Sequence, residues 1–291
     1  MIKNLIVLNP ASGRGKTLLL KEEIEAELKK NGIEYSLHIS KGSKDIEDYC
    51  RENIDKYDRF ISVGGDGTLH YILNGIAGSD KTIGVIPTGS GNDISLNLGL
   101  PIGINESIKA IKKGNIKKID VGLIDEKIYY LCIAGAGFDS VVNDLANNTR
   151  FPIKGPAIYS YSVYKTLITF RSKKFYISFD RKTETVDSMM LTASNMASYG
   201  GGMRITPDAS YTDGLLDVCI IKRMSKLHFI KTFPKVYEGK HLSDPFVDHF
   251  RTSKLKIESE YDFSVFADGE YICKLPSIFR VIPKAQKIII P

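Results

Sequence analysis

Ser62-Val63-Gly64-Gly65-Asp66-Gly67-Thr68 sets a carboxylate and a hydroxyl among three glycines. The apolar, β-branched run Phe60–Val63 leads into it, and a helical pattern follows (Leu69, Ile72, Leu73, Ile76). Glycine lets a backbone approach an anion closely and take positive φ without steric cost. The N–H groups and dipole at the start of the next helix would point at the same place. The chemistry this suits is phosphate binding. Asp66 would repel a phosphate directly, so it fits best with a divalent cation between the two. Taken alone, the stretch also suits a tight strand-to-helix turn with Asp66 as a cap. Three further segments favour a nucleotide site.

Asn9-Pro10-Ala11-Ser12-Gly13 follows the strand pattern Leu5–Leu8 and precedes a helical pattern over 16–30. Pro87-Thr88-Gly89-Ser90-Gly91-Asn92-Asp93 follows the strand pattern Thr82–Ile86. Open α/β sheets bind ligands at the carboxyl ends of their strands, where all three loops would lie. Asp268-Gly269-Glu270 sits between Phe263–Phe266 and Tyr271–Cys273. By itself it reads as a hairpin turn. Beside a nucleotide site it would place one or two carboxylates where a general base is needed. Gly15-Lys16-Thr17 imitates the end of a Walker loop, but Pro10 stands where that motif needs its first glycine, so the match fails.

In order, Asn9-Pro10-x-Ser12-Gly13, Gly64-Gly65-Asp66-Gly67-Thr68, Pro87-x-Gly89-Ser90-x-Asn92-Asp93 and Asp268-Gly269-Glu270 resemble the motifs of the diacylglycerol kinase catalytic family. That family includes bacterial soluble diacylglycerol kinases and the related sphingosine and ceramide kinases. Gly135-Ala136-Gly137-Phe138-Asp139, Asn195, Gly200–Gly202, Pro207 and Asp213-Gly214-x-Leu216-Asp217 continue the family order, so the resemblance spans the chain. The Gly-Gly-Asp-Gly-Thr box is shared with NAD kinases and phosphofructokinases; the ordered set is specific.

The resemblance implies a lipid kinase that uses ATP and Mg2+ to phosphorylate the hydroxyl of diacylglycerol, or of a related lipid, giving phosphatidic acid. It implies a nucleotide cradle of Asn9, Pro10, Ala11, Ser12, Gly13, Ser40, Gly64, Gly65, Asp66, Gly67, Thr68, Ser90 and Asn92. Ser40 and Ser90 stand where the family often has threonine, and both keep the hydroxyl. Asp66, Asp93 and Asp120 would surround the catalytic magnesium. Glu270 is the expected base, with Asp268 helping to hold metal, although the motif leaves open which carboxylate does which. Ser210, Asp213 and Leu215 would hold a second, structural magnesium; a plain Asp-Gly turn is the other reading of that loop. NAD kinase, or a non-catalytic nucleotide- or lipid-binding regulator on the same fold, are the competing functions.

The 291 residues suit two domains, and 43% hydrophobic with 25% charged residues is ordinary for a globular chain. No apolar run approaches the roughly 20 residues that span a bilayer, and the N-terminus lacks a signal-peptide pattern. Cys50, Cys132, Cys219 and Cys273 are scattered through mostly apolar patterns, as in a reducing compartment. The five histidines show no zinc spacing. The expectation is a cytoplasmic protein, peripheral to the inner face of the membrane. The net charge of +6 suits nucleotide phosphates or anionic lipid; no nucleic-acid module is present. Lys109, Lys112, Lys113, Lys117 and Lys118 form a basic run that reads as a solvated helix face or an attraction to anionic phospholipid.

These loops need elements to hold them. Strand patterns at 5–8, 35–39, 59–63 and 82–86 alternate with helical patterns near 16–30, 44–55, 68–77 and 103–113, which predicts a mostly parallel sheet flanked by helices. From about Ile119, strand patterns dominate (121–124, 128–133, 175–179, 188–193, 216–221, 254–257, 264–266, 271–273), with helices near 140–147, 156–169 and 225–235. The expected fold is an α/β nucleotide-binding domain, 1–118, followed by a β-rich antiparallel sandwich, 119–283, for the lipid. The family resemblance implies that a terminal strand at about 284–291 returns to the first domain. An exposed strand edge could support a homodimer. Phe151-Pro152-Ile153-Lys154-Gly155 leads into a helix, apolar nearly all round, that reads equally as core or as an acyl-chain or membrane-interface surface.

Overall fold

The computed structural model describes residues 2–148 and 156–291; the Phe151–Gly155 approach to the apolar helix lies outside the described residues. The chain divides into two compact units, residues 1–121 with 283–291, and residues 122–282.

The first unit alternates strands β1 (Asn4–Leu8), β2 (Tyr35–Ile39), β3 (Arg59–Gly64) and β4 (Thr82–Pro87) with helices α1 (Lys16–Leu19), α2 (Lys21–Lys30), α3 (Ser43–Glu52), α4 (Asp66–Ile76), α5 (Asp93–Asn97) and α6 (Ile104–Lys113). The four strands are parallel. β1 pairs with β2 on one side and β3 on the other, and β3 pairs with β4. Strand order therefore reverses between β1 and β3, and ligands of open α/β sheets bind at such a switch point. β1 and β4 are buried along their whole length, as expected of a parallel sheet covered on both faces. Ile24 and Leu28 of α2 and Ile108 and Ile111 of α6 join Ile6, Ile61, Val63 and Ile86 in one core.

The single helix expected over 16–30 is two. Thr17 is buried, and its hydroxyl shares a hydrogen bond with that of Thr88 (2.8 Å), which fastens α1 to the loop after β4. The chain bends at Leu20 before α2 begins.

β5 (Asn115–Ile124) leads into the second unit, which holds β6 (Ile128–Tyr130), β7 (Ile133–Gly137), β8 (Lys173–Phe179), β9 (Lys182–Ser194), β10 (Leu216–Lys222), β11 (Val247–Thr252), β12 (Lys254–Ser259), β13 (Ser264–Ala267) and β14 (Glu270–Lys274). Its helices are α7 (Phe138–Asn148), α8 (Pro156–Thr169) and α9 (Lys226–Thr232). The strands pair antiparallel. β9 is long enough to serve two neighbourhoods: residues 182–188 pair with β8, and 190–194 lie between β7 and β10. Phe175, Leu191, Val218, Ile257 and Phe279 form its fully buried core. This is the α/β plus β-sandwich fold class that the patterns predict.

The last strand, β15 (Ser277–Ile290), is far longer than the run Ile288–Ile290 visible in the sequence. Ser277–Arg280 pair with β12, and Lys287 and Ile288 pair in parallel with β4. Pro283 and the polar residues after it hide the strand, because proline inside an apolar run demotes it as a strand signal.

Candidate active site

In the first unit, three loops meet at the switch point. Asn9, directly after β1, donates its backbone N–H to the Val63 carbonyl (3.1 Å). Its Oδ1 accepts the Ala11 N–H (3.1 Å), and its Nδ2 donates to the Thr68 hydroxyl (3.0 Å). One side chain thus shapes the Pro10–Ala11 turn and ties it to the first turn of α4, where Gly67 also lies. The Thr88 N–H donates to the Gly64 carbonyl (2.8 Å), joining the loops after β3 and β4. A Cβ on Gly89 would stand 2.5 Å from Gly65 Cα, and one on Gly13 (φ +57°) 2.5 Å from the Thr88 carbonyl oxygen. Only glycine permits these approaches, so the glycines are needed for loop contact as well as for an anion. Asn92, at φ +56°, closes the third loop: its Oδ1 accepts the Gly89 N–H and its Nδ2 donates to the Gly89 carbonyl, both at 3.0 Å. The Ser12 hydroxyl lies 3.6 Å from where a Gly65 Cβ would be. Ser90 is exposed at the tip of the third loop. Ser40 directly follows β2, with its N–H on the Leu8 carbonyl (2.9 Å); its hydroxyl is buried and, among the described residues, has no hydrogen-bond partner. An orphaned hydroxyl and a backbone cradle that any Cβ would fill both suit a bound polar ligand.

Asp66 opens α4, and its two oxygens accept the N–H groups of Asp93 and Ile94, both at 3.0 Å. The Asp66 and Asp93 carboxylates lie 3.5 and 3.2 Å from where a Cβ on Gly91 would stand, so the fold brings these two together. Two carboxylates beside a phosphate cradle fit Mg2+, which takes one or two carboxylates and completes its shell with phosphates and water. Asp120 does not complete the expected set. Among the described residues no three His, Cys, Asp or Glu side chains stand close enough to hold a metal ion. Asp120 is fully buried in β5, and its Oδ1 accepts the Lys284 N–H (2.7 Å), which fastens the returning strand β15.

In the second unit, Asp268 (φ +51°) and Gly269 (φ +86°) make a two-residue hairpin between β13 and β14. The two Asp268 oxygens accept the Leu131 (2.9 Å) and Cys132 (2.8 Å) N–H groups. Asn195 grips the same segment: its Nδ2 donates to the Leu131 carbonyl and its N–H to that of Cys132, both at 2.8 Å. Glu270, the first residue of β14, is half-buried. Asp268 is thus committed to backbone donors in the segment that leads into β7.

The same unit contains an apolar cavity lined by Phe138, Val163, Met190, Met203, Phe229 and Phe233, with Asp139 as the charged member of its wall. Apolar patterning gave no sign that these side chains converge; Phe138 and Asp139 stood out only as part of a motif. At the other proposed metal loop, Asp213 Oδ1 accepts the Leu215 N–H (3.0 Å) and the Ser210 hydroxyl meets that of Thr212 (3.2 Å). These bonds are those of an Asp-Gly turn. Asp217 nearby is fully buried between Arg251 Nε (3.0 Å) and His249 Nε2 (2.9 Å).

The diacylglycerol kinase catalytic domain family matches residues 3–124, and the YegS C-terminal NAD kinase beta sandwich-like domain matches residues 132–290. A diacylglycerol kinase of Mycobacterium tuberculosis is 30% identical over 290 residues, covering 97% of this chain and 93% of the relative. One from Bacillus subtilis is 27% identical over 291 residues, covering 98% and 95%. A solved structure assigned as a diacylglycerol kinase of Bacillus anthracis superposes with a TM-score of 0.81 at 25% identity, over 100% of this chain and 97% of that one. With the cradle, the two-unit fold and both domain matches in agreement, this chain belongs to the diacylglycerol kinase family and is a kinase of that type.

Proposed function

We propose that the protein transfers the γ-phosphoryl group of ATP to the hydroxyl of diacylglycerol, or of a closely related lipid, in a magnesium-dependent reaction. With diacylglycerol the product is phosphatidic acid. The observation that carries this reading is the glycine-to-glycine contact of Gly65 and Gly89 at the switch point, beside the paired carboxylates of Asp66 and Asp93. Phosphoryl transfer depends mainly on positioning and charge neutralisation. Asn9 to Gly13, Gly64 to Thr68, Ser90 and Asn92 present backbone N–H groups and hydroxyls to the phosphates, and Ser40 offers its hydroxyl to the nucleotide. Asp66 and Asp93 would hold Mg2+, which neutralises charge on the phosphates when bound. Glu270 accepts the proton as the lipid hydroxyl oxygen bonds to the γ-phosphorus and the bond to ADP breaks. Asp268 is the positioning residue, fixing the hairpin that carries Glu270. The work is done at the cytoplasmic face of a membrane. Among the described residues no helix is long and apolar enough to cross one.

The test is transfer of labelled γ-phosphate from ATP to diacylglycerol, monoacylglycerol, phosphatidylglycerol and sphingosine in mixed micelles, with NAD as a control. Labelled phosphatidic acid that needs magnesium is the expected result. Label on another lipid alone would keep the kinase and change its acceptor. Label on NAD, or ATP binding without any product, would overturn the reading.

A further inference from the structure

Helices α8 and α9 of the second unit bury one face and leave another bare. Val163 and Leu167 of α8 and Phe229 of α9 are buried, and Val163 and Phe229 line the apolar cavity. Outward, α8 shows Tyr164 (61% exposed) and Ile168 (70%), and α9 shows Leu227 (75%) and Ile230 (47%). The Lys226 ammonium donates to the Ile168 carbonyl, which ties the two helices at the place where Ile168 and Leu227 emerge. Single exposed apolar residues are normal. Four large ones on two joined helices, over a cavity, are not explained that way.

Lys222, Arg223 and His228 are paired with Asp248, Asp187 and Asp244 from other elements, and the charges that α8 and α9 themselves carry outward are basic. Neither 156–174 nor 222–237 contains an Asp or Glu, while Lys165, Lys226, Lys231 and Lys235 are all exposed there. We propose that this α8–α9 face is the surface on which the protein docks onto an anionic bilayer, with Ile168, Leu227 and Ile230 entering the boundary of head groups and acyl chains and the lysines resting on lipid phosphates. Interfacial helices bind in this way, through apolar burial plus attraction to anionic lipid. A second copy of the chain fits less well. A two-fold interface would bring the same lysines of α8 and α9 together, with no carboxylate on either helix to offset them. The docking face deepens the lipid-kinase reading, since it would set the cavity's helices against the source of the acceptor.

The experiment is co-sedimentation of the full chain with phosphatidylcholine vesicles with and without phosphatidylglycerol. Binding should require the anionic lipid and weaken with salt. The double variant Ile168→Glu with Leu227→Glu, and separately Lys231→Ser with Lys235→Ser, should each lower the bound fraction about tenfold or more. Because these side chains face solvent, melting temperature should hold, as should any phosphorylation of a short-chain diacylglycerol dispersed as monomers. Unchanged vesicle binding in both variants, or no binding by the parent protein, would overturn the proposal. So would a dimer-to-monomer change in Leu227→Glu with vesicle binding intact, which would give the face to a second copy. Should vesicle binding follow the variants while no lipid is phosphorylated, the docking face stands and the kinase reading falls.

Discussion

Asp268 and Glu270 stand two residues apart in one turn, and Asp268 is tied to the backbone of Leu131 and Cys132. The sequence can place carboxylates in the hairpin but cannot say where each points, because that depends on Leu131 and Cys132, far away in the chain. Glu270→Gln keeps the shape of the side chain and removes its basicity. It should lower kcat by about 10²- to 10⁴-fold, with nucleotide affinity and melting temperature nearly unchanged. Asp268→Asn keeps the turn, since asparagine tolerates positive φ, but sets an amide NH2 against one of two backbone donors. Leaving a partly buried donor unmatched costs about 1–3 kcal/mol, so this variant should melt earlier and lose activity in proportion to lost order. Parallel kcat and thermal-melt measurements separate the two. A stable, inactive Asp268→Asn beside an active Glu270→Gln would exchange the roles.

Each loop of the cradle is set by a neighbouring loop. A methyl at Gly89 meets the Gly65 backbone at 2.5 Å, and backbone cannot yield as a flexible side chain can. Gly89→Ala should therefore push the loops after β3 and β4 apart, costing about 1–3 kcal/mol and raising the Kd for ATP about tenfold or more. Gly15→Ala is the control. Gly15 has positive φ (+83°), which Gly89 does not, and a Cβ there meets nothing within 4 Å. It should cost only about 1 kcal/mol of backbone strain and leave ATP affinity close to that of the parent. Equal effects in both variants, read by calorimetric titration, would mean that the loop contact at Gly89 does not set ATP affinity. Local pattern made most elements legible: β1 to β4 and the helices between them follow periods that are visible in the sequence. Elements with mixed patterns were not legible. β11 (Val-Asp-His-Phe-Arg-Thr) carries polar residues on a half-buried face, and β15 contains a proline. The tie between Asp120 and the returning strand was not legible for a related reason. A buried carboxylate that accepts a backbone N–H from a distant strand leaves no trace in local sequence.

Both units also rely on carboxylates that stay charged while partly shielded. Burial pushes the Asp45 carboxyl up, but the Lys41 N–H (2.9 Å) and His38 Nε2 (2.8 Å) outweigh it and hold it below the ordinary value. Asp244 in the second unit behaves alike: burial raises it, and the Thr232 hydroxyl (2.8 Å), the Phe246 N–H (3.1 Å) and His228 (2.8 Å) together lower it further. In the unfolded chain both return to about 3.9. The unfolded state thus takes up protons first as pH falls. The stability these groups contribute is fully present above about pH 4 and is lost as pH drops through their folded values. Melting temperature should be flat with respect to these two groups near neutral pH and fall steeply below about pH 4. Asp244→Asn should melt lower at pH 7, and its curve should fall less steeply in acid, because the group that gains the proton is gone. Asp45→Asn should do the same from the other unit. If both variants follow the parent's slope below pH 4, acid sensitivity belongs to other carboxylates, and these two hold their loops without coupling stability to pH.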